Sequence, residues 1–422
     1  MISPGWRSTS RRCGSGRSSL RHRLRTGNDR HNMTPLDTVR APGSFWTPYL
    51  MAAAIFLSSR IVITLAILFA EIYIPLGTDV WTAGPHWYQH LLRWDSQWYD
   101  LIVTQGYSYS GNPDDCQSVV FYPLYPLVSY ILKTGTGLNS GDALLVVANI
   151  AALVAVLLLF KLVREEFGDR IALLTVAFLS FFPGSVFLSA GYTESLTLLF
   201  IVAFFLMLRD ERLFLAAAFA GLAVATRSTG IVLLPVLVWQ LWRSRHHARG
   251  SALFPKAFSC VLIATSGLWL YMIYLWYVFD SPLAFSHAQA AFHQGTTLPQ
   301  RLFGALTLQP FLKMNLSEVS PAGLDGWFFL LFVVLIVRAW FRLNFAMTLF
   351  AFGVLMLPYL TLYGGPAGFS STTRFNLVSF PLFLTMAELA DRARWLVPGV
   401  IGISGGLLFM YAALFAQWQW VG

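Results

Sequence analysis

Between Trp46 and Trp418 the chain is a succession of long apolar stretches, with charges confined mostly to the short segments that separate them. A helix or strand of a soluble domain must turn one face to water, so its sequence alternates or shows a polar stripe. These stretches show neither over most of their length. Charged residues make up 12% of the chain and apolar residues 56%, against about 25% charged in soluble domains. In hydrocarbon every backbone N–H and C=O must be satisfied within the protein, which leaves helices as the element for such segments. The sequence therefore predicts an all-α polytopic membrane protein. At about 20 residues per span it holds about 9–12 transmembrane helices, including short ones.

The net charge of +9 does not describe a nucleic-acid-binding face. Nine arginines fall between Arg7 and Arg40, and most other basic residues sit in short loops, a topological distribution. Residues 1–44 are rich in Arg, Ser and Gly, cannot bury a core, and read as a disordered cytoplasmic tail ahead of a membrane domain over 45–422. The tail lacks the apolar core of a signal peptide, and Met33 is an alternative start. Cys13, Cys116 and Cys260 form no CxxC pair, so neither a disulfide framework nor a zinc site is read.

The first span runs from about Trp46 to Ile72 and carries Arg60 near its middle. A cation at that depth costs at least ~2.5 kcal/mol and calls for a carboxylate or a wet cavity. The basic tail puts the next segment outside, in an outer loop over about 75–141. Within it, His90–Tyr107 reads as an amphipathic helix displaying Asp95 beside Trp94, Trp98 and Tyr99. The same pattern suits an interfacial anchor with an incidental acid. Phe121–Gly137 is apolar but short; if it spanned, KLVREEFGDR and every later basic loop would fall outside. Treating it as re-entrant or as lying at the outer surface keeps the KLVREEFGDR, RDER and DRAR loops inside, as the positive-inside rule requires. Further segments follow at Asp142–Val163, Ile171–Leu188, Thr193–Leu208 and the two halves Leu213–Thr226 and Ile231–Trp242, which meet at Arg227. Ala257–Phe279 leads to a second outer loop over about 280–324, and Trp327–Val337, Phe345–Tyr363, Phe375–Leu389 and Leu396–Trp418 complete the bundle.

With this threading the unusual polar residues collect at one side. Asp95, Tyr99, Tyr192, Glu194, Arg227, Ser228, His287, Gln289 and Arg374 all fall at outer ends of spans or in outer loops. Each has a plainer reading: Glu194 neutralising Arg60 or Arg227, His287 solvated, Arg374 snorkelling. Asp114 and Asp115 form a weak candidate metal pair in a Gly/Asn/Pro loop, where solvated carboxylates are the common case. A divalent metal is left open but not expected, and no other cofactor is expected. No Gly-rich phosphate cradle, GxSxG elbow or HExxH motif occurs, and no soluble nucleotide-binding domain accompanies the bundle, which argues against a sugar-nucleotide donor. A sugar carried on a polyprenyl phosphate would instead present its phosphate at this depth with its tail in lipid. One carboxylate suffices to deprotonate an acceptor hydroxyl, and guanidinium groups stabilise a departing phosphate.

Four stretches, in order, resemble one family: RWDSQWYDLIVTQGY with FYPLYP, FFPGSVFLSAGYTESL at Phe181–Leu196, ATRSTGI at Ala225–Ile231 and RFNLVSFPLF at Arg374–Phe383. SPLAFSHAQ at Ser281–Gln289 adds a fifth, similar to a loop of prokaryotic members. The chain resembles the PIG-V family, which adds the second mannose in GPI-anchor assembly, and its prokaryotic relatives, within the GT-C glycosyltransferase superfamily. The resemblance implies a GT-C-type bundle and an inverting mannosyltransferase that uses a dolichyl- or polyprenyl-phosphate-linked donor at the outer or lumenal membrane face. The acidic residue of the first outer loop would be the base, which maps onto Asp95. Arg227 and Arg374 would hold the donor phosphate with His287 assisting. Tyr192 and Glu194 would shape the sugar pocket, and Trp94, Trp98 and Tyr122 would stack on sugar or seat lipid. The implied partners are membrane lipids, the lipid-linked donor and a glycolipid or other hydroxyl acceptor, with room for a small partner subunit. The membrane would be the plasma membrane in a prokaryote and the endoplasmic reticulum in a eukaryote, with the N-terminus cytoplasmic. Two rival readings stay open: a polyprenyl-lipid flippase, for which Arg60 is the one point in favour, and a non-catalytic scaffold of a glycan assembly complex.

Overall fold

The computed structural model describes residues 46–422 apart from 78–79, 81–85, 245–252, 293–296, 314–320, 363–368, 370 and 422. The tail over 1–44 and Met33 lie outside the described residues. The described elements are all helical, as the apolar patterning predicts.

Helix α1 (Thr47–Tyr73) is apolar all round. It buries Phe56, Ile63, Ala66, Ile67 and Ala70 while Leu57, Ile61, Leu65 and Ile72 stay exposed, the arrangement of a helix with lipid on one side and protein on the other. At 27 residues it is about 40 Å long, enough to cross a hydrocarbon layer of about 30 Å. Helix α2 (Asp95–Gln105) is the amphipathic helix read from the sequence, and α3 (Leu124–Thr136) covers the ambiguous apolar segment. With 13 residues α3 reaches only about 20 Å and packs on α2 and α4, which fits a surface or re-entrant element rather than a span.

Element α4 (Ser140–Phe181) is two helices joined across a kink, in agreement with the two segments read from the sequence, with a much shorter connection than the loop assigned there. The break is a single residue, Gly168, at φ 84°, ψ 168°, a backbone region open essentially only to glycine. Helices α5 (Glu194–Arg209), α6 (Leu213–Thr226) and α7 (Leu233–Ser244) follow, the last two separated by the turn that carries Arg227. The segment read as one span over Ala257–Phe279 is instead two helices, α8 (Leu253–Ala264) and α9 (Ser266–Phe279), bent by 57° at Thr265. The Thr265 hydroxyl and the Trp269 indole donate to the Val261 and Leu262 carbonyls at the bend. Close backbone approach fixes it: a Cβ on Gly267 would lie 2.4 Å from the Gly221 carbonyl oxygen, and one on Gly221 2.5 Å from that of Ile263.

Four short helices, α10 (Ala284–His287), α11 (Gln289–Phe292), α12 (Leu298–Leu306) and α13 (Gln309–Leu312), occupy the second outer loop. They precede α14 (Pro321–Trp340), α15 (Phe345–Thr361), α16 (Thr372–Phe375), α17 (Phe380–Arg392) and α18 (Val397–Ala416). Among the described residues four helices are long and apolar enough to cross a membrane, or five if the bent α8–α9 pair is one span. Helices α5, α6 and α7 match the short segments read from the sequence in length, 16, 14 and 12 residues. Helix α4 is central, packing against α1, α3, α5 and α17, and α18 lies beside α1. At one end of α5, Arg209 pairs with Glu165 in the KLVREEFGDR segment, and Arg170 of that segment reaches Asp391 at 2.6 Å. The three charged loops assigned to one side of the membrane therefore meet at one end of the bundle. The other end of α5 begins at Glu194.

Candidate active site

Three chain segments converge at that end. The RWDS motif comes first: Trp94 has φ 54°, ψ −116°, an unusual conformation for a bulky residue, and α2 starts immediately after it with Asp95. The GYTES motif docks against it. Gly191 donates its N–H to the Leu91 carbonyl at 3.1 Å. A Cβ at Gly191 would stand 2.7 Å from the Leu92 side chain and 3.3 Å from Ser96 Cβ, so glycine permits the contact. The third segment holds Arg374 in α16. The FFPGS loop packs directly on it, a Cβ at Gly184 meeting the Thr373 carbonyl oxygen at 2.9 Å.

The charged residues form one chain of ion pairs. Arg374 Nη2 donates to Asp95 Oδ2 at 2.6 Å, and its Nε donates to Glu194 Oε1 at 2.6 Å. Arg227 Nη1 donates to the same Glu194 oxygen and lies 3.4 Å from Thr193 Oγ1. The Arg374 guanidinium also lies over the Tyr192 ring, 4.5 Å from its centroid, and that of Arg227 lies over Phe375 at 4.6 Å. Glu194 has a side-chain exposure of 1% and Arg374 of 6%, whereas Asp95 retains 26%. The carboxylate at the accessible end of the network is thus Asp95. Its Oδ2 is engaged by Arg374, and among the described residues no hydrogen bond reaches Oδ1. Two acids and two arginines leave the four side chains formally neutral.

The other site residues read from the sequence lie elsewhere or are packed differently. Glu194 does not line an open pocket: it is the buried counter-ion of both arginines. Tyr192 is fully buried, and burial beside the Asp95 carboxylate holds its hydroxyl protonated, well above the ordinary tyrosine value. Tyr99 is buried edge-on between Phe121 and Tyr125, and burial raises its hydroxyl likewise. Tyr122 is buried against Tyr271 and Phe285, which pushes its hydroxyl up to about 12. Trp98 is half-buried and stacks on Phe121 at 5.7 Å. Trp94 packs edge-on against Trp418 and Trp420, at 5.7 and 5.3 Å. Ser228 is exposed in the turn after Arg227, His287 is exposed at the end of α10, and Gln289 is half-buried at the start of α11. Among the described residues the His287 ring bonds to no member of the network.

Of the carboxylate or wet cavity expected around Arg60, the carboxylate is not found among the described residues. The Arg60 guanidinium donates to the hydroxyls of Ser59, Ser185 and Ser189 and to the carbonyls of Ser180 and Ser185, at 2.7–3.3 Å. Neutral acceptors from the FFPGSVFLS loop satisfy it instead. Asp114 and Asp115 sit in an exposed loop tied by its own hydrogen bonds: Asp114 N–H donates to Asn112 Oδ1, and Ser110 Oγ donates to Asp115 Oδ2 at 2.9 Å. No cluster of three or more His, Cys, Asp or Glu side chains placed to hold a metal occurs among the described residues.

Sequence reading missed two supports. Asp325, buried in α14, accepts the Thr373 N–H at 2.9 Å and its hydroxyl at 3.2 Å, pinning the residue next to Arg374. The only signal was an acid within a few residues of a long apolar run, on the border assigned to a loop. Arg93, also buried, donates to the Ala416 carbonyl and to His90, whose other ring nitrogen lies 2.9 Å from Glu71 at the end of α1. The chain end returns over this corner, with Gly77 N–H donating to the Gln417 carbonyl at 2.7 Å.

The fold is an all-α membrane bundle whose site carries two carboxylates and two guanidinium groups, and comparison with known proteins points to membrane mannosyltransferases. Residues 123–278 match the family model of dolichyl-phosphate-mannose-protein mannosyltransferases. The chain is 30% identical over 152 residues to GPI mannosyltransferase 2 of Cryptococcus neoformans var. neoformans serotype D (strain JEC21 / ATCC MYA-565), a match covering 33% of this chain and 34% of that protein. The chain thus spans about a third of the length of the curated relatives it matches. Both matches agree with the resemblance carried by the motifs. Among solved structures, ArnT from Cupriavidus metallidurans bound to undecaprenyl phosphate is similar at 14% identity and TM-score 0.47, over 86% of this chain and 75% of that one. The Archaeoglobus fulgidus oligosaccharyltransferase complexed with Zn and sulfate is similar at 14% identity and TM-score 0.45, over 85% and 53%.

Proposed function

We propose that this chain is an inverting mannosyltransferase that moves mannose from a polyprenyl-phosphate-linked donor to a hydroxyl of a lipid-linked glycan, at the outer or lumenal face of the membrane. The observation that carries the reading is the Asp95–Arg374–Glu194–Arg227 network. It joins residues from four motifs far apart in sequence, all of them motifs of the resemblance, and ends on a partly exposed carboxylate. In the reaction Asp95 takes the acceptor hydroxyl proton through its free oxygen. The new C–O bond forms at the anomeric carbon on the face opposite the phosphate, and the C–O bond to phosphate breaks. The polyprenyl phosphate departs with its electron pair, its charge met by Arg227 and Arg374. Arg374, bonded to the base, would couple the two halves by also meeting the leaving phosphate.

The test is transfer of radiolabelled mannose from polyprenyl-phosphate-mannose to a membrane glycolipid extract by purified protein in lipid, wild type beside Asp95→Asn. Loss of the general base should lower turnover by about 10²–10⁴-fold with the fold intact. An Asp95→Asn protein with near-normal turnover would remove the assignment.

A further inference from the structure

The backbone on both sides of Trp94, in the turn that presents Asp95, bonds to one atom of a residue far off in sequence. Tyr192 Oη donates to the Arg93 carbonyl at 3.1 Å and accepts the Asp95 N–H at 3.3 Å. These are the backbone groups on either side of Trp94, the residue with φ 54°, ψ −116°. A non-glycine residue in so sparsely populated a region is strained and persists only where its surroundings hold it. The Tyr192 hydroxyl closes the loop around Trp94 much as a second backbone strand would. The face of the same ring lies under the Arg374 guanidinium. One buried side chain therefore touches both members of the Asp95–Arg374 pair: the Asp95 backbone through its hydroxyl and the Arg374 guanidinium through its π face.

We infer that Tyr192 is the positioning residue of the site, a clamp that holds the Trp94 turn and sets Asp95 and Arg374 in register, not a wall of the sugar pocket. Its burial leaves no surface for a sugar to meet. The turn also has bonds of its own, Ser96 N–H to the Arg93 carbonyl and Gln97 N–H to the Trp94 carbonyl, and Arg374 holds the Asp95 side chain. The backbone bond from Gly191 stops at Leu91, so the Tyr192 hydroxyl is what ties the backbone on both sides of Trp94 to the GYTES segment. The mechanistic half of this inference rests on the assignment of Asp95 as base; the clamp itself does not.

Tyr192→Phe removes the bridging oxygen and keeps the ring beneath Arg374. Two measurements on the full chain in detergent separate the clamp from the assignment of the base. The first is amide hydrogen exchange in the peptide containing Trp94–Trp98 without substrate: loss of the bond to Asp95 N–H should speed exchange there by about tenfold, the equivalent of one hydrogen bond. The second is steady-state transfer, where kcat should fall by about tenfold with the donor KM within twofold, as expected when only the reacting groups are misaligned. Unchanged exchange in Tyr192→Phe would overturn the clamp whatever Asp95 does. Faster exchange with unchanged kcat would overturn its positioning role. Asp95→Asn measured in parallel shows whether the base assignment holds, and its failure would leave the exchange result standing.

Discussion

Replacing Glu194 by Gln tests the electrostatic logic of the site most directly. Glu194 is buried and one of its oxygens receives donors from both Arg227 and Arg374. Arg374 would keep Asp95, but Arg227 would lose its only carboxylate partner among the described residues. The four side chains would pass from formally neutral to a net +1 in a site with little access to water. Removing one partner of a buried ion pair costs about 3–5 kcal/mol, and the amide oxygen of Gln, still able to accept, puts the cost near the lower end, about 3 kcal/mol. A ligand that restores the missing negative charge should recover part of it. If polyprenyl phosphate binds the variant about tenfold more tightly, saturating ligand stabilises it by about 1.4 kcal/mol more than it does wild type. The assay is apparent unfolding temperature in detergent for both proteins, with and without polyprenyl phosphate, using the unphosphorylated alcohol as control. The expected result is a lower transition for Glu194→Gln and a larger upward shift with phosphate than in wild type. An unaltered transition, or equal shifts in the two proteins, would refute the reasoning, because neither fits a buried carboxylate whose task is to neutralise two phosphate-binding arginines.

Two further substitutions address the scaffold and the outer loop. Gly168→Ala should lower the apparent unfolding temperature through a cost of about 1–3 kcal/mol; a Cβ there meets nothing within 4 Å, so the cost comes from the backbone at φ +84° alone, and an unchanged or raised transition would show that the kink is not what it is taken to be. Asp114→Asn with Asp115→Asn should leave transfer within about twofold and its response to added Mg²⁺ or Mn²⁺ unaltered, as for surface changes away from a site; a large loss of activity rescued by metal would make that loop part of the reaction.

Local patterning carries some of this architecture in the sequence and leaves the rest out. The apolar run ahead of Arg60 and the amphipathic spacing around Asp95 declare α1 and α2, because periodicity is a property of neighbouring residues. The partners of the charges are long-range facts. Glu194 and Arg374 are 180 residues apart, and composition alone permitted Glu194 to serve Arg60 as readily as Arg227. What decides between them is the run of small hydroxyl residues in FFPGSVFLS, which satisfies Arg60 without a carboxylate and releases Glu194 to the other side; serines in an apolar stretch give no such warning. The bend at Thr265 is equally silent, with no proline there; the approach of α6 depends on Gly267 nearby and on Gly221, 44 residues away in sequence. The aromatic residues around Asp95 were ambiguous for another reason: Trp98, Tyr99 and Tyr122 occur where both a sugar platform and a packed corner would want rings, and only tertiary contacts show that Tyr99 and Tyr122 are core.

The length of α5 ties these observations to lipid chemistry. Its 16 residues run from Glu194 in the ion-pair network to Arg209 in the cluster of charged loops, a rise of about 24 Å. A hydrocarbon layer is about 30 Å thick. If the charged loops lie at the headgroup level of one leaflet and α5 stands along the membrane normal, Glu194 falls a few ångströms inside the opposite boundary of the hydrocarbon, with Asp95, the more accessible end of the network, nearer to water. A phosphate attached to a polyprenyl chain is confined to that same boundary, since its tail cannot leave lipid and its charge cannot enter it. The depth accounts for why the arginines carry internal counter-ions: without a ligand, two unpaired guanidinium groups there would face the cost of partial burial alone. On the proposed reaction, the same placement gives the neutralising role to the buried Glu194 and leaves the more accessible Asp95 for an acceptor hydroxyl arriving from water.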